Sequence, residues 1–292
     1  MTNRLELNWK LDGFVDEQRY YCSETPIDPL SLPVPKAILT GDVQAYSDTD
    51  IEINKTYYVC IGAVKNNVEK LSDILSESTV VDTAPTLIAY SNTAYANANS
   101  VTNAVPSIAA TGDLLVAVVM HRNPLSIPSG WTQVATHKTA NNIQSLTVLS
   151  KTKGLSDSSV TFSQSVSALI AACIVVARHE KGCRIDSTVN SNPAINSNGE
   201  FNVSGVALKN CLKIIAANRT SAAEPSSYSV ISSGYQSIPP FTSFDSVLRI
   251  RQFVAIKAMA ANDSYDCIFK TPATTADTTS LCAIAVEVTA NS

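Results

Sequence analysis

The chain has 292 residues, room for one large or two ordinary domains, and its 45% hydrophobic content excludes a globally disordered polymer. Only 16% of residues are charged and the net charge is -4, which disfavours nucleic-acid binding and electrostatic attachment to a membrane surface. Ser, Thr, Asn and Ala fill the gap, a composition suited to short polar strand faces and many turns.

Met1-Thr-Asn-Arg-Leu-Glu-Leu lacks the apolar core of a secretory signal, so none is expected. The longest apolar run, Leu169 to Ala177, is about half the roughly 20 residues a spanning helix needs. It suits a buried strand, and membrane insertion is not expected. The seven cysteines (Cys22, Cys60, Cys173, Cys183, Cys211, Cys267, Cys282) are odd in number, widely spaced and without a CxxC pair. That pattern disfavours a disulfide framework and a zinc site, and it fits synthesis in a reducing compartment.

Leu5, Leu7 and Trp9 alternate with polar residues, the period of a half-buried strand. Gln18 to Cys22 reads as the next strand. Pro26, Pro29, Pro33 and Pro35 then force an extended connection, followed by a short strand at Ala37–Leu39. Thr56 to Val64 alternates cleanly, with Tyr57, Val59, Ile61 and Ala63 on one face and Tyr58 and Cys60 on the other. Asn66-Asn67 supplies the positive φ values of a two-residue hairpin turn. Val68 to Ile74 returns as a strand or, because Val68, Leu71 and Ile74 also fit a 3.6 period, as a short helix.

The order Leu-x-Leu-x-Trp9, Arg19-Tyr-Tyr-Cys-Ser23 and Ser47-Asp-Thr-Asp50-Ile51-x-x-Asn54-Lys-Thr-Tyr57-Tyr-Val resembles a fibronectin type III domain, in the version found in bacteriophage tail proteins. The resemblance implies that Trp9 is a core aromatic between sheets. It also implies that Tyr57 is a buried corner tyrosine whose hydroxyl ties back to upstream backbone. Asn54 stands where the family has Gly, in a left-handed turn. The family's usual first-strand segment is nearly absent before Trp9, so the sandwich lacks an edge strand or borrows one from a partner.

Ser76 to Pro85 breaks the periodicity and marks a domain boundary. Asn92 to Asn103, rich in Ala, Asn and Ser, reads as a surface loop or loosely held edge strand. Strands are then expected at Leu114–Met120, Thr132–Lys138, Ser145–Lys151, Ser159–Ser163 and Leu169–Ala177. After a loop from Asn190 to Asn202 they are expected at Cys211–Ala217, Tyr228–Tyr235, Val247–Ala258, Tyr265–Lys270 and Leu281–Val288. This spacing, without a long amphipathic helix, points to a sandwich or jelly roll. The two sets look alike: Gly130-Trp131 answers Gly234-Tyr235, and Leu169–Ala177 answers Leu281–Val288. A degenerate twofold follows, in which each half must bury an apolar face against the other.

Gly112-Asp-Leu-Leu-Val-Ala-Val-Val, Ile127-Pro-Ser-Gly-Trp-Thr, Leu149-Ser-Lys151, Val160-Thr-Phe-Ser and Ile174-Val-Val-Ala-Arg178 together resemble β-sandwich modules of tail fibres, other virion proteins and adhesins. The expected fold is all-β. Residues 1–80 form a small fibronectin type III-like sandwich, and residues 81–292 form a larger jelly-roll-like sandwich with an internal pseudo-twofold.

The chemical motifs are sparse. His121, His137 and His179 form no HExxH or HxH pair, and Asp48/Asp50 and Asp263/Asp266 sit in turns. There is no GxSxG, P-loop or calcium-loop pattern. No catalytic residue, metal or cofactor is expected. The binding-surface candidates are His121 and Arg122, which open a loop, and Trp131 and Tyr235, which offer aromatic faces. Tyr20, Tyr90, Tyr95 and Tyr228 are weaker candidates, on the expectation that they are exposed. The resemblances imply a virion structural protein made in the host cytoplasm, placed at the tail or baseplate as a fibre or adaptor. Its implied partners are itself, as a homo-oligomer, and other virion proteins, with host cell-surface glycan as a further ligand. Alternatives are a head decoration or collar protein, or a carbohydrate-binding adhesin or glycan hydrolase.

Overall fold

The computed structural model describes residues 4–52, 55–78, 83–221, 229–244, 249–271 and 281–291. These residues are all-β, with 22 strands and no helix among them. The chain forms two compact units, Met1–Asp82 and Thr83–Ser292.

The first unit holds β1 (Leu5–Asn8), β2 (Glu17–Ser23), β3 (Ala37–Thr40), β4 (Ala45–Asp48), β5 (Thr56–Lys65), β6 (Val68–Leu71) and β7 (Leu75–Ser78). Among the described strands β1 pairs only with β4, making a two-stranded sheet. The facing sheet runs β3-β2-β5, with β6 and β7 end to end along the far edge of β5. Asn66 (φ 50°) and Asn67 (φ 60°) make the left-handed turn that joins β5 to β6. The rival helix over Val68–Ile74 does not form. The ladder breaks at Ser72, whose N–H donates to Ile61 O at 2.8 Å and whose Oγ accepts from Ile61 N–H at 3.1 Å.

Leu5, Tyr20, Ile51, Tyr57, Val59 and Ile61 fill the space between the sheets. The outer face of the larger sheet is covered by Ile27 and Leu32 of the Pro-rich connection, packed on Tyr21 and Cys60. Tyr57 is buried, and its hydroxyl accepts the Glu52 N–H at 3.0 Å. Trp9 is half-buried, and its indole N–H donates to Gln18 Oε1 at 2.7 Å. Asn54 lies outside the described residues. Tyr20 corrects an expectation. Its place on the inward face of the central strand β2 buries it fully, and its hydroxyl donates to Asp48 Oδ2 at 3.0 Å.

The second unit begins with β8 (Thr86–Tyr90), β9 (Ala94–Ala104), β10 (Leu114–His121), β11 (Leu125–Ser126), β12 (Thr132–Lys138), β13 (Ser145–Thr152) and β14 (Ser159–Arg178). It continues with β15 (Cys183–Ser191), β16 (Glu200–Val206), β17 (Cys211–Ser221), β18 (Ser229–Val230), β19 (Gln236–Phe244), β20 (Arg249–Met259), β21 (Ser264–Lys270) and β22 (Leu281–Ala290).

The two halves are wired alike. In the first, the C-terminal part of β14 lies between β8 and β10, giving the order β8-β14-β10-β13-β12. In the second, the order is β15-β22-β17-β20-β19. The N-terminal part of β14 pairs with β9 and β11 in a second layer, as β21 pairs with β16 and β18. The twofold expected from Gly130-Trp131 and Gly234-Tyr235 is thus present in the strand pairings.

Each half carries its own core. Leu115, Ala117, Val119, Phe162 and Trp131 lie between the layers of the first half. Phe201, Ile215, Phe253 and Phe269 do so in the second. A third core joins the halves, with Val116, Val118, Val148 and Val175 meeting Ile214, Val254, Ile284 and Val286. The unit is therefore four layers deep, and both inner sheets are covered on both faces. This explains why Leu114–Met120 of β10 and Leu281–Val286 of β22 are unbroken apolar runs rather than alternating ones, since every residue of each is buried. Each buried Val or Leu contributes roughly 1.5–3 kcal/mol.

Other expectations need amending. Ser159–Ser163 and Leu169–Ala177 are one strand of 20 residues, bent at a register shift between Ser163 and Ala168. Of the two readings of residues 92–103, the edge strand is the one that forms, as β9 paired with Ser159–Ser163 and Ala168–Ala172 of β14. Tyr228 and Val247 lie outside the described residues, and Tyr235 ends a turn that leads into β19.

Candidate functional site

His121 ends β10 and is 5% exposed. Its Nδ1 lies 2.7 Å from Asn123 O, a group that only accepts, so Nδ1 carries the proton. Its Nε2 then accepts from the Thr147 hydroxyl at 2.8 Å. Burial lowers the pKa of His121, which keeps the ring neutral and fixed. Arg122 is half-exposed, and its backbone N–H donates to Gln164 Oε1 at 3.2 Å. Gln164, which the sequence did not single out, is the organiser of this loop. It also accepts the Asn123 N–H, and its Nε2 donates to Ala98 O and to Ala168 O across the bend of β14.

Trp131 is buried and meets Phe162 edge to face, with centroids 5.8 Å apart. The turn before it closes with Trp131 N–H donating to Pro128 O at 3.1 Å, and Gly130 sits at φ +77°. Tyr235 is half-buried, with Lys257 Nζ 5.0 Å from its ring centre, and burial raises the pKa of its hydroxyl. The four candidates do not converge. His121 lies opposite Ser145 and Thr132 lies opposite Ser150, so the His121 and Trp131 ends of the sheet are roughly 17 Å apart. Tyr235 belongs to the other half. Tyr90 packs against the core between the halves, whereas Tyr95 is exposed.

The charged groups near these positions serve as internal ties. Arg178, at the end of β14, grips Asp113 through Nε–Oδ1 at 2.7 Å and Nη2–Oδ2 at 2.8 Å, next to the start of β10. His137 bonds Asn192, and His179 bonds Thr83. Asn192 Nδ2 also donates to Lys138 O and Leu281 O, pinning the edge of one half to the other. Among the described residues no group of three or more His, Cys, Asp or Glu is placed to hold a metal.

An open groove lies in the first unit. The groove, of about 740 Å³, runs between β1 and the broken β6–β7 edge, bounded by Glu6, Asn8, Asp73, Leu75 and Glu77 over Val59 and Ile61. Leu75 pairs with Val59 and Glu77 with Tyr57, so both side chains point to the inward face of their sheet. Leu75 is nonetheless 64% exposed, because the two-stranded β1–β4 sheet is too narrow to cover it. No family model, curated protein or solved structure matches the chain.

Proposed function

We propose that the protein is a non-catalytic structural component of a bacteriophage virion, placed at the tail or baseplate as a fibre or adaptor. It works by assembling with copies of itself and with other virion proteins, and host cell-surface glycan is a further ligand. The observation that carries this reading is the stacking of two like-wired sandwich halves, whose ionic groups Lys213–Glu287 and Arg178–Asp113 bond to one another rather than facing a cleft. A rigid block of this kind suits load bearing and surface display. The layer order β8-β14-β10-β13 over β9-β14-β11 supports a jelly-roll reading of each half. The Tyr57–Glu52 tie, in a unit with a two-stranded sheet facing β3-β2-β5, supports the type III reading of the first unit.

Labelled antibody against the chain, imaged on phage particles, tests the proposal. Label at the tail tip or baseplate is expected. Label confined to the head or neck transfers the chain to a decoration or collar role, and unlabelled particles end the virion reading. Light scattering then gives the assembly state, and a strictly monomeric chain contradicts the homo-oligomer.

A further inference from the structure

We propose that the groove beside β1 receives an extended segment of a partner protein by strand addition. The segment is about five residues long, with apolar side chains and Lys or Arg alternating on its inward face. This inference stands apart from the virion reading and rests on the geometry of the first unit alone.

The backbone supplies the first part of the argument. Trp9 N–H donates to Gln44 O at 3.1 Å, so Trp9, Leu7 and Leu5 turn their N–H and C=O groups toward β4. By alternation, Glu6 and Asn8 turn theirs the other way, over the groove. β1 has no second neighbour among the described strands, so this edge is free to pair. The four residues of β1 extend about 13 Å, the reach of a four- to five-residue strand.

The side chains supply the second part. A strand laid against β1 covers Leu75, the inward-facing leucine that its own sandwich leaves exposed. Two positions along, on the same face, stands Glu77, with Asp73 nearby. No cation among the described residues pairs with either carboxylate, whereas Glu6 is matched by Arg4 at 2.9 Å. An apolar side chain on Leu75 and a Lys or Arg on Glu77 satisfy this face together. Main-chain bonds supply affinity and the alternate side chains supply specificity, the usual division in strand addition. An acidic or wholly polar segment meets like charge and leaves Leu75 wet.

The test uses the full chain and a synthetic nine-residue peptide in which Val and Lys alternate on one face and Thr fills the other, measured by calorimetry. Saturable one-to-one binding is expected. N-methylation of the peptide amides that face β1 abolishes it, while N-methylation of the opposite amides does not. Replacing Lys by Glu in the peptide weakens binding at least tenfold, and Glu77→Gln weakens it several-fold. Glu6→Pro removes the outward N–H while keeping the β4 pairing, and it too abolishes binding. The N-methylated peptides keep the test decisive if that variant folds poorly. Absence of saturable binding overturns the proposal, as does equal binding of the two N-methylated peptides or of the acidic peptide. A dimer in light scattering that Glu6→Pro dissolves also overturns it, because the occupant is then a second copy.

Discussion

Lys213 and Glu287 face each other across β17 and β22, with Nζ 2.7 Å from Oε1 and each side chain 1% exposed. The same Oε1 accepts the Leu208 N–H at 3.2 Å, and the Lys213 ammonium lies 4.4 Å from the Tyr265 ring centre. Two charges taken out of water this completely depend on each other. Lys213→Met therefore destabilises the second unit by about 3–5 kcal/mol, because it strands the carboxylate. The double variant Lys213→Met, Glu287→Leu recovers most of that loss and falls short by the bond to Leu208. Denaturant unfolding of the three proteins measures this, and a double variant as unstable as the single one contradicts it.

Gly130 and Gly234 occupy matching turns at φ +77° and +79°. Added methyl groups would meet only the flexible ends of Lys151 and Lys257, at 3.3 and 3.6 Å, so the penalty is one of backbone conformation. Gly130→Ala and Gly234→Ala each destabilise by about 1–2 kcal/mol. The sites belong to different halves and share no partner, so the double variant shows the sum to within about 0.5 kcal/mol. A markedly larger combined loss in thermal unfolding would show that the two turns are coupled.

Burial pushes the Asp113 carboxyl upward, but the Arg178 guanidinium and the Ala110 N–H outweigh it and hold its pKa below the usual range. A carboxylate depressed in the fold stabilises at pH above its unfolded value, about 4, and that contribution is lost as pH falls through the folded value. Asp113→Asn thus lowers the thermal midpoint at pH 7, and the gap to the parent protein closes below about pH 4. A gap of constant size from pH 7 to pH 3 would rule this out.

Trp131 and Phe162 form the aromatic centre of the first half's core. Trp131→Ala leaves a cavity there and costs about 3–5 kcal/mol. Trp131→Phe retains most of that stability. If the indole served only as a binding face, alanine would leave the unfolding midpoint unchanged.

The positions of these residues explain what the sequence could and could not reveal. Leu114–Met120 and Leu281–Val288 were legible as strands because both of their faces are buried, leaving apolar runs that only Glu287 interrupts. Asn66-Asn67 was legible because few residue types accept two successive positive φ values. Thr86–Tyr90 and Glu200–Val206 were not, since strands of 5 and 7 residues beside Pro-, Asn- and Ser-rich stretches show no long run, and Ala94–Ala104, rich in Ala, Asn and Ser, has too little apolar contrast to decide between loop and edge strand. His121 and Trp131 were drawn as loop and surface candidates because a turn in sequence does not say which way its side chains point. The packing of Thr147 and Phe162 decides that, and both come from strands distant in sequence. The groove was foreshadowed only by how early Trp9 falls. Its shape depends on the width of β1–β4 relative to the sheet opposite, which is a property of pairing rather than of any one residue.

The single strand from Ser159 to Arg178 has a mechanical consequence. It belongs to both layers of the first half, so those layers are joined by peptide bonds as well as by packing. A pull along β14 loads the ladders with β9 and β10 together, and neither layer can slide without shearing the other. In the second half the described residues place the matching pairings on β21, which ends at Lys270, and on β22, which starts at Leu281. The first half therefore resists sliding of its layers through one continuous backbone as well as through its ladders.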